Sequence, residues 1–348
     1  MTDMPMQSDS LEIPGRPFGQ MVRSVFGYAL LMALMFLTPL VVFVPAALFL
    51  CGIRNGRRAA WFALLVGAVL GIGIGAAAVN HPGATAGDIR LTYAYLAFEL
   101  LALALPAMLV FPLMERGASF GKVLTTALLI ALPGLALTEF GSRALLGISP
   151  YADQFAQFEQ VKAQVIANYQ HTAGMPADAI DAVRRGLDIG SKFVPSVPVI
   201  SVIVFFMLSI LMFGRLRAWR EFVRTREVSE SAGIYLFRNF SLPEWLLFAF
   251  VISGLAPLAT GMLQKVASNV LVVVLFLYLL QGLAIFRSLL AAVGINGVGL
   301  LFAFLLLGFL TFTAGIAPIL LTIAGLFDSF FDFRKFRRKD DSNESHTD

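Results

Sequence analysis

Three stretches of this chain, residues 25–51, 59–79 and 270–286, contain no charged side chain. A run near the roughly 20 residues needed to cross a hydrocarbon core, at about 1.5 Å per residue, reads as a spanning helix. Composition points the same way. Apolar residues fill 58% of the 348 positions and charged ones 14%, a balance that a water-soluble chain of this length does not reach. The expected fold is therefore an all-α, polytopic transmembrane helix bundle whose first partner is the lipid bilayer. One cysteine, Cys51, rules out an intramolecular disulfide and a cysteine cluster. The net charge of +4 does not indicate nucleic acid, because the basic residues lie in short clusters beside apolar runs, as the positive-inside rule requires. The 25–51 run exceeds the roughly 7 to 15 apolar residues of a cleaved secretory signal and ends in a basic loop, so it reads as a retained anchor.

Organisation follows from where charge interrupts the apolar runs. Residues 1–15 are polar and read as a disordered cytoplasmic tail, and 16–140 as N-terminal transmembrane helices. Pro39 and Pro45 break the first apolar block, since each removes a helical donor. One kinked span or two short helices fit; two, with Arg16 and Arg23 inside, satisfy the charge rule. The loop of Arg54, Asn55, Gly56, Arg57 and Arg58 holds three arginines and no acid, so it marks the cytoplasmic side. Spans at 59–79, 91–114 and 123–140 lead to a polar segment, 141–195, that is expected outside. After a span at 197–213, a basic helix at 214–232 carries Arg215, Arg217, Arg220, Arg224 and Arg226 and should lie inside again. The C-terminal transmembrane region, 196–333, continues with spans at 242–262 and 266–286 and a last block at 295–333 broken near Gly315 and Pro318. The tail at 334–348, basic then polar, should be cytoplasmic, which requires that last block to cross twice. Eight to ten membrane segments result, with broken first and last segments, in a bacterial inner membrane and with both termini cytoplasmic.

The polar segment has helical features of its own. Ser149 before Pro150 is a good helix start, and Phe155, Phe158, Val161, Val165 and Tyr169 recur at helical spacing. Pro176 opens a second helix with Ile180, Val183 and Leu187 on one face. A packed extracytoplasmic cap is favoured over a lid across an outward-facing cavity.

Ionisable groups inside the apolar layer are costly and are default functional candidates. Glu99 is the foremost: it lies within the 91–114 span beside Tyr93 and Tyr95, where it could bind a cation or proton, contact a polar ligand, or pair with a neighbour such as Lys265. Tyr95 and Gln281 complete the candidate ligand-binding set. Gln281 sits in an otherwise apolar span, and an interhelical hydrogen bond also explains it. Gly67, Gly71 and Gly75 form overlapping small-xxx-small repeats and are expected to pack tightly inside the bundle. Asp328 and Asp332 share one face near a helix C-terminus, where the dipole disfavours them. A clasp to an arginine such as Arg220, Arg224 or Arg238 would compensate both. Gly117, Ala118, Ser119, Phe120 and Gly121 match a nucleophile-elbow pattern but lie between membrane helices, away from His81, His171 and His346. No catalytic residue, metal site or cofactor is expected.

Three further stretches carry a resemblance: Phe237 to Trp245 (FRNFSLPEW), Tyr278 to Ala284 (YLLQGLA) and Gly325 to Arg334 (GLFDSFFDFR). Their order and spacing resemble the YybS-like family of bacterial multi-pass membrane proteins, which implies a membrane protein and no catalytic residue. Ala29 and Ala33 are also similar to the Ala-x-x-x-Ala pattern in the first helix of substrate-binding subunits of energy-coupling-factor vitamin transporters. That likeness implies contact with a membrane coupling subunit.

These readings favour a non-enzymatic, transporter-like subunit that binds a small molecule between helices. The alternative is an envelope scaffold or assembly protein that recruits a membrane or cytosolic partner through its basic arm and tail. Topology is tested by placing a cysteine at Ala163 in a Cys51→Ala background. An impermeant thiol reagent should label it from outside the cell only; labelling from the cytoplasmic side alone would invert the assignment.

Overall fold

The computed structural model describes residues 18–79, 85–171, 176–225, 235–295 and 297–331, and every regular element among them is helical. The helices are α1 (Phe18–Phe36), α2 (Val44–Asn55), α3 (Arg57–Val79), α4 (Ala86–Phe98), α5 (Leu105–Glu115), α6 (Phe120–Gly141) and α7 (Pro150–His171). They continue with α8 (Ala177–Ser191), α9 (Val197–Arg215), α10 (Arg217–Thr225), α11 (Leu246–Gly254), α12 (Gly261–Ala292), α13 (Val298–Ala314) and α14 (Ile316–Phe331).

Among the described residues six stretches are long and apolar enough to cross a membrane: Gly19–Phe36, Arg57–Ala77, Gly87–Glu115, Phe120–Leu146, Val194–Arg215 and Gly261–Ala292. Four shorter apolar helices accompany them, at Pro39–Asn55, Leu246–Leu258, Val298–Phe309 and Ile316–Phe331. By length the described residues thus supply six full spans, and a count of eight to ten is not confirmed. The shortfall lies at the breaks. The span expected at 242–262 is instead the nine-residue α11 and a 3₁₀ turn, Ala256–Leu258. Pro257 has no amide for the helical ladder. The 32-residue α12 then starts at Gly261, whose φ of 63° suits glycine, and reaches about 48 Å at about 1.5 Å per residue. The last block divides where the sequence indicates, with Gly315 at φ 64° closing α13.

The first block divides into two helices. Pro39 holds Thr38 in extended backbone (φ −138°, ψ 163°), a 3₁₀ turn follows over Pro39–Phe43, and α2 begins at Val44. Non-helical backbone at membrane depth needs partners from the protein. Thr38 Oγ1 donates to Leu34 O at 3.0 Å, and fully buried Ser209 of α9 donates to Val42 O.

The interior is packed around α2, α5, α6 and α9, where Phe49, Phe111, Phe206 and Phe213 are buried. The outside is apolar too: Val69, Phe248, Ile252 and Phe302 are each about 70% exposed, a surface suited to lipid. At one end the basic loops gather. Arg57 pairs with Glu115 at 3.3 Å, α10 packs on α2, and Tyr235 Oη donates to Ala118 O at 3.3 Å. Tyr235 is stacked on Trp219, and burial pushes its phenol above the ordinary range. At the opposite end α7 and α8 pair through Lys162, which reaches Glu159 at 3.1 Å and Asp188 at 2.7 Å.

Glycine sets the closest helix approaches. A Cβ on Gly67 would stand 2.9 Å from Ala29 O, and one on Gly71 or Gly75 would touch Phe36 or Leu37, so α3 lies against α1 along this stripe. Tighter still is the crossing of α12 and α14. A Cβ on Gly282 would collide with Leu321 O, and one on Gly325 with Tyr278 O. Backbone atoms cannot swing aside as a side chain can. Gly325→Ala should therefore destabilise the fold by about 1 to 3 kcal/mol or more through overpacking. Gly73→Ala, which meets nothing within 4 Å, should be neutral or stabilising by up to about 1 kcal/mol. Thermal unfolding of both variants in detergent provides the comparison; equal melting points would refute the assignment.

Candidate functional site

Two hollows open within the bundle, and Tyr95 lines both. The first, about 310 Å³, lies between the end of α1 (Phe36, Leu37, Thr38, Pro39) and one face of α4 and the turn after it (Thr92, Tyr95, Leu96, Glu99). The α4 residues recur at three-to-four spacing and so share a helix face.

Helix geometry changes at Glu99. Residues Glu99–Ala104 form a π-helical turn, in which Leu105 N–H bonds to Leu100 O, five residues back. Pro106, just after the turn, has no N–H, and Leu105 N–H is given to Leu100 O, so the ladder leaves neither an i+4 nor an i+5 donor for the Leu101 carbonyl. That carbonyl is turned onto Gly134 of α6, where a Cβ would collide with it. Single π turns of this kind recur at functional sites.

Glu99 is partly buried, and its Oε2 is shielded from solvent without a hydrogen-bond partner. It forms no ion pair with Lys265, which is exposed on α12. An unpaired carboxylate oxygen in an apolar layer is stable only when it carries a proton or meets a cation. The surrounding hydroxyls have committed their protons elsewhere. Thr38 Oγ1 donates to Leu34 O at 3.0 Å and Thr92 Oγ1 to Asp88 O at 2.9 Å, while Tyr95 Oη reaches Asp153 Oδ2 at 3.5 Å.

The second hollow, about 300 Å³, is mainly apolar and bounded by α4, α6, α7 and the start of α9, with Leu132, Leu135, Phe98 and Val199 in its wall. Glu139 stands at its edge as a structural carboxylate. It accepts from Ser149 Oγ and from Tyr151 N at 3.1 Å, and pairs with Arg143 at 2.6 Å, fixing the start of α7. Ser149 Oγ in turn caps α7 by accepting from Ala152 N at 3.1 Å.

The candidate ligand set thus divides. Glu99 and Tyr95 share the first hollow, whereas Gln281 lies in the crossing of α12 and α14. Its Oε1 accepts from Leu242 N at 3.1 Å and its Nε2 donates to Asp328 Oδ2 at 3.0 Å. Asp328 is only 7% exposed and faces α12, not the basic arm. None of Arg215, Arg217, Arg220, Arg224 and Arg238 pairs with it among the described residues. Arg220 donates to Arg215 O, Arg217 pairs weakly with Glu221, and Arg224 and Arg238 are exposed. Among the described residues Asp328 is thus held by an amide, that of Gln281, and Arg226, a further candidate for the clasp, lies outside the described residues. Asp332 lies outside the described residues. Thr38, Thr92 and the π turn carry no local sequence signal other than Pro106, seven residues after Glu99. No group of three metal-ligating side chains occurs among the described residues.

With helices as every regular element among the described residues, six of span length there, and an apolar exterior, the chain is a membrane protein of the multi-pass helical class. It belongs to the family described as Predicted membrane protein (DUF2232), which it matches over residues 25–329. Comparison with curated proteins and with solved structures returned no match. The expected membrane-protein family is thus established at this level, while neither the YybS name nor the likeness to energy-coupling-factor subunits finds support.

Gln281 can be tested directly. Gln281→Leu strands the Leu242 amide and removes the amide donor to Asp328, and should cost about 1 to 3 kcal/mol. Asp328→Asn keeps an acceptor for Gln281 and should cost less. Unfolding midpoints of the two variants measure the order, and the reverse order would show that the charge, not the hydrogen bond, holds the joint.

Proposed function

We propose that this chain is a non-enzymatic, transporter-like subunit that takes a small molecule into the hollow at Glu99. The observation that carries the reading is the buried, partnerless Oε2 of Glu99 beside an open space of about 310 Å³. Structural carboxylates find partners, as Glu139 does; one left open at the border of a cavity is suited to a ligand. The broken first block supports the same role, since interrupted helices supply polar backbone at membrane depth in many transporters.

In this reading the basic end, with Arg54, Arg57, Arg58 and α10, faces the cytoplasm of a bacterial cell, and α7 and α8 form an extracytoplasmic cap. Both termini are then cytoplasmic, which requires some of the shorter apolar helices to pair into crossings and brings the segment count to eight to ten. The scaffold alternative rests on one observation: α10 buries Trp219 and Val223 and presents Arg217, Arg220 and Arg224 outward, where a protein partner could dock.

Chemical access discriminates. In liposomes, dicyclohexylcarbodiimide should form an adduct on Glu99, detectable by mass spectrometry and lost in Glu99→Gln. Thr92→Cys in a Cys51→Ala background should react with a water-soluble methanethiosulfonate from one side only. If neither reagent reaches its target in the folded protein, the hollow is closed and the ligand-binding reading fails.

A further inference from the structure

The chemistry of the first hollow specifies a class of ligand, on the reading that it is a ligand site. We infer that it accepts a small protonated amine whose N–H groups donate to Glu99 and to the hydroxyl oxygens around it.

The lining contains one acid, Glu99, and no lysine, arginine or histidine. Its two threonine hydroxyls point their protons at protein oxygens, Thr38 at Leu34 O and Thr92 at Asp88 O, while Tyr95 Oη lies 3.5 Å from Asp153 Oδ2 and also meets Gln157. What they retain for the cavity is lone pairs. The end of α1 adds to the same sign, because Phe36, Leu37 and Thr38 sit at a helix C-terminus, the negative end of its dipole. The polar side chains therefore present acceptors with negative potential. An ammonium group is the complement, being positively charged and carrying donors only. A carboxylate or phosphate would meet no cationic partner in this lining.

Size and aromatic content separate an organic cation from an inorganic one. A water molecule occupies about 30 Å³ of liquid, so a hollow of about 310 Å³ far exceeds a bare ion. One carboxylate is also a poor cage for a divalent metal, which takes several charged or carbonyl oxygens. Phe36, Tyr95, Leu37 and Leu96 offer apolar and aromatic wall to an alkyl chain and to the cation itself.

The full-length chain in phosphatidylcholine nanodiscs, titrated at pH 7 with radiolabelled n-butylamine, provides the test. Saturable binding is expected, displaced by unlabelled n-butylamine and at least tenfold less well by n-butanol, butyrate or sodium. Glu99→Gln should weaken binding tenfold or more, and Thr92→Val several-fold, with both variants eluting as the parent on size exclusion. Thr92→Val keeps the carboxylate and so remains informative if Glu99→Gln misfolds. Equal competition by n-butanol or butyrate, equal potency of sodium, or unchanged binding in both variants would overturn the amine assignment. Absence of saturable binding while carbodiimide still reaches Glu99 overturns the amine alone. Absence of both overturns the ligand site as well.

Discussion

Lipid tails are as apolar as leucine, so burying one apolar helix against another yields little hydrophobic gain in a bilayer. Cohesion must come from close contact and from polar groups that have nowhere else to bond. The joint of α12 and α14 uses both. Gly282 and Gly325 bring the two backbones together, and Gln281 ties Asp328 on one side to the Leu242 amide on the other. The three motif stretches around Leu242, Gln281 and Asp328 are far apart in the chain and meet at this one place. Their spacing reflects a spatial constraint: a glycine for approach, an amide with both a donor and an acceptor, and an acid to receive the donor.

The contrast between Glu139 and Glu99 shows how burial differs in meaning from one carboxylate to another. Glu139 is surrounded by a serine hydroxyl, a backbone amide and an arginine, and its charge is used to start a helix. Glu99 lies on a π turn that Pro106 follows and Gly134 accommodates, and it faces threonine hydroxyls that have already spent their protons. The first is a fastener. The second is unfinished in the protein alone, and that incompleteness gives the cavity its chemical character.

Much of the architecture was legible because it rests on local rules. Pro39 breaks the first block, Gly315 ends α13, and Ser149 caps α7, each through backbone chemistry that a sequence displays directly. The glycine stripe of α3 was visible for the same reason, as a period. What stayed hidden was tertiary. Asp328 and Gln281 were each recognisable as costly in an apolar helix, yet nothing local told that they bond one another. Thr38 and Thr92 look ordinary in sequence, and their importance comes from lying on opposite walls of one hollow. The span expected at 242–262 failed because its hydropathy is continuous while its backbone, with Pro257 and Gly261, is not.

The π turn after α4 has a consequence for the angular bookkeeping of the whole span. A helix advances about 100° per residue, so one extra residue accommodated in a wide turn rotates everything on one side of it relative to the other by nearly a third of a revolution. Thr92, Tyr95 and Leu96 therefore address the first hollow on a phase that the apolar face of α5 does not share. The span behaves as two helices in series with an offset coupling. The half that packs the core, with Ala107, Val110, Phe111 and Met114 buried, is thereby released from any obligation to the half that meets the cavity.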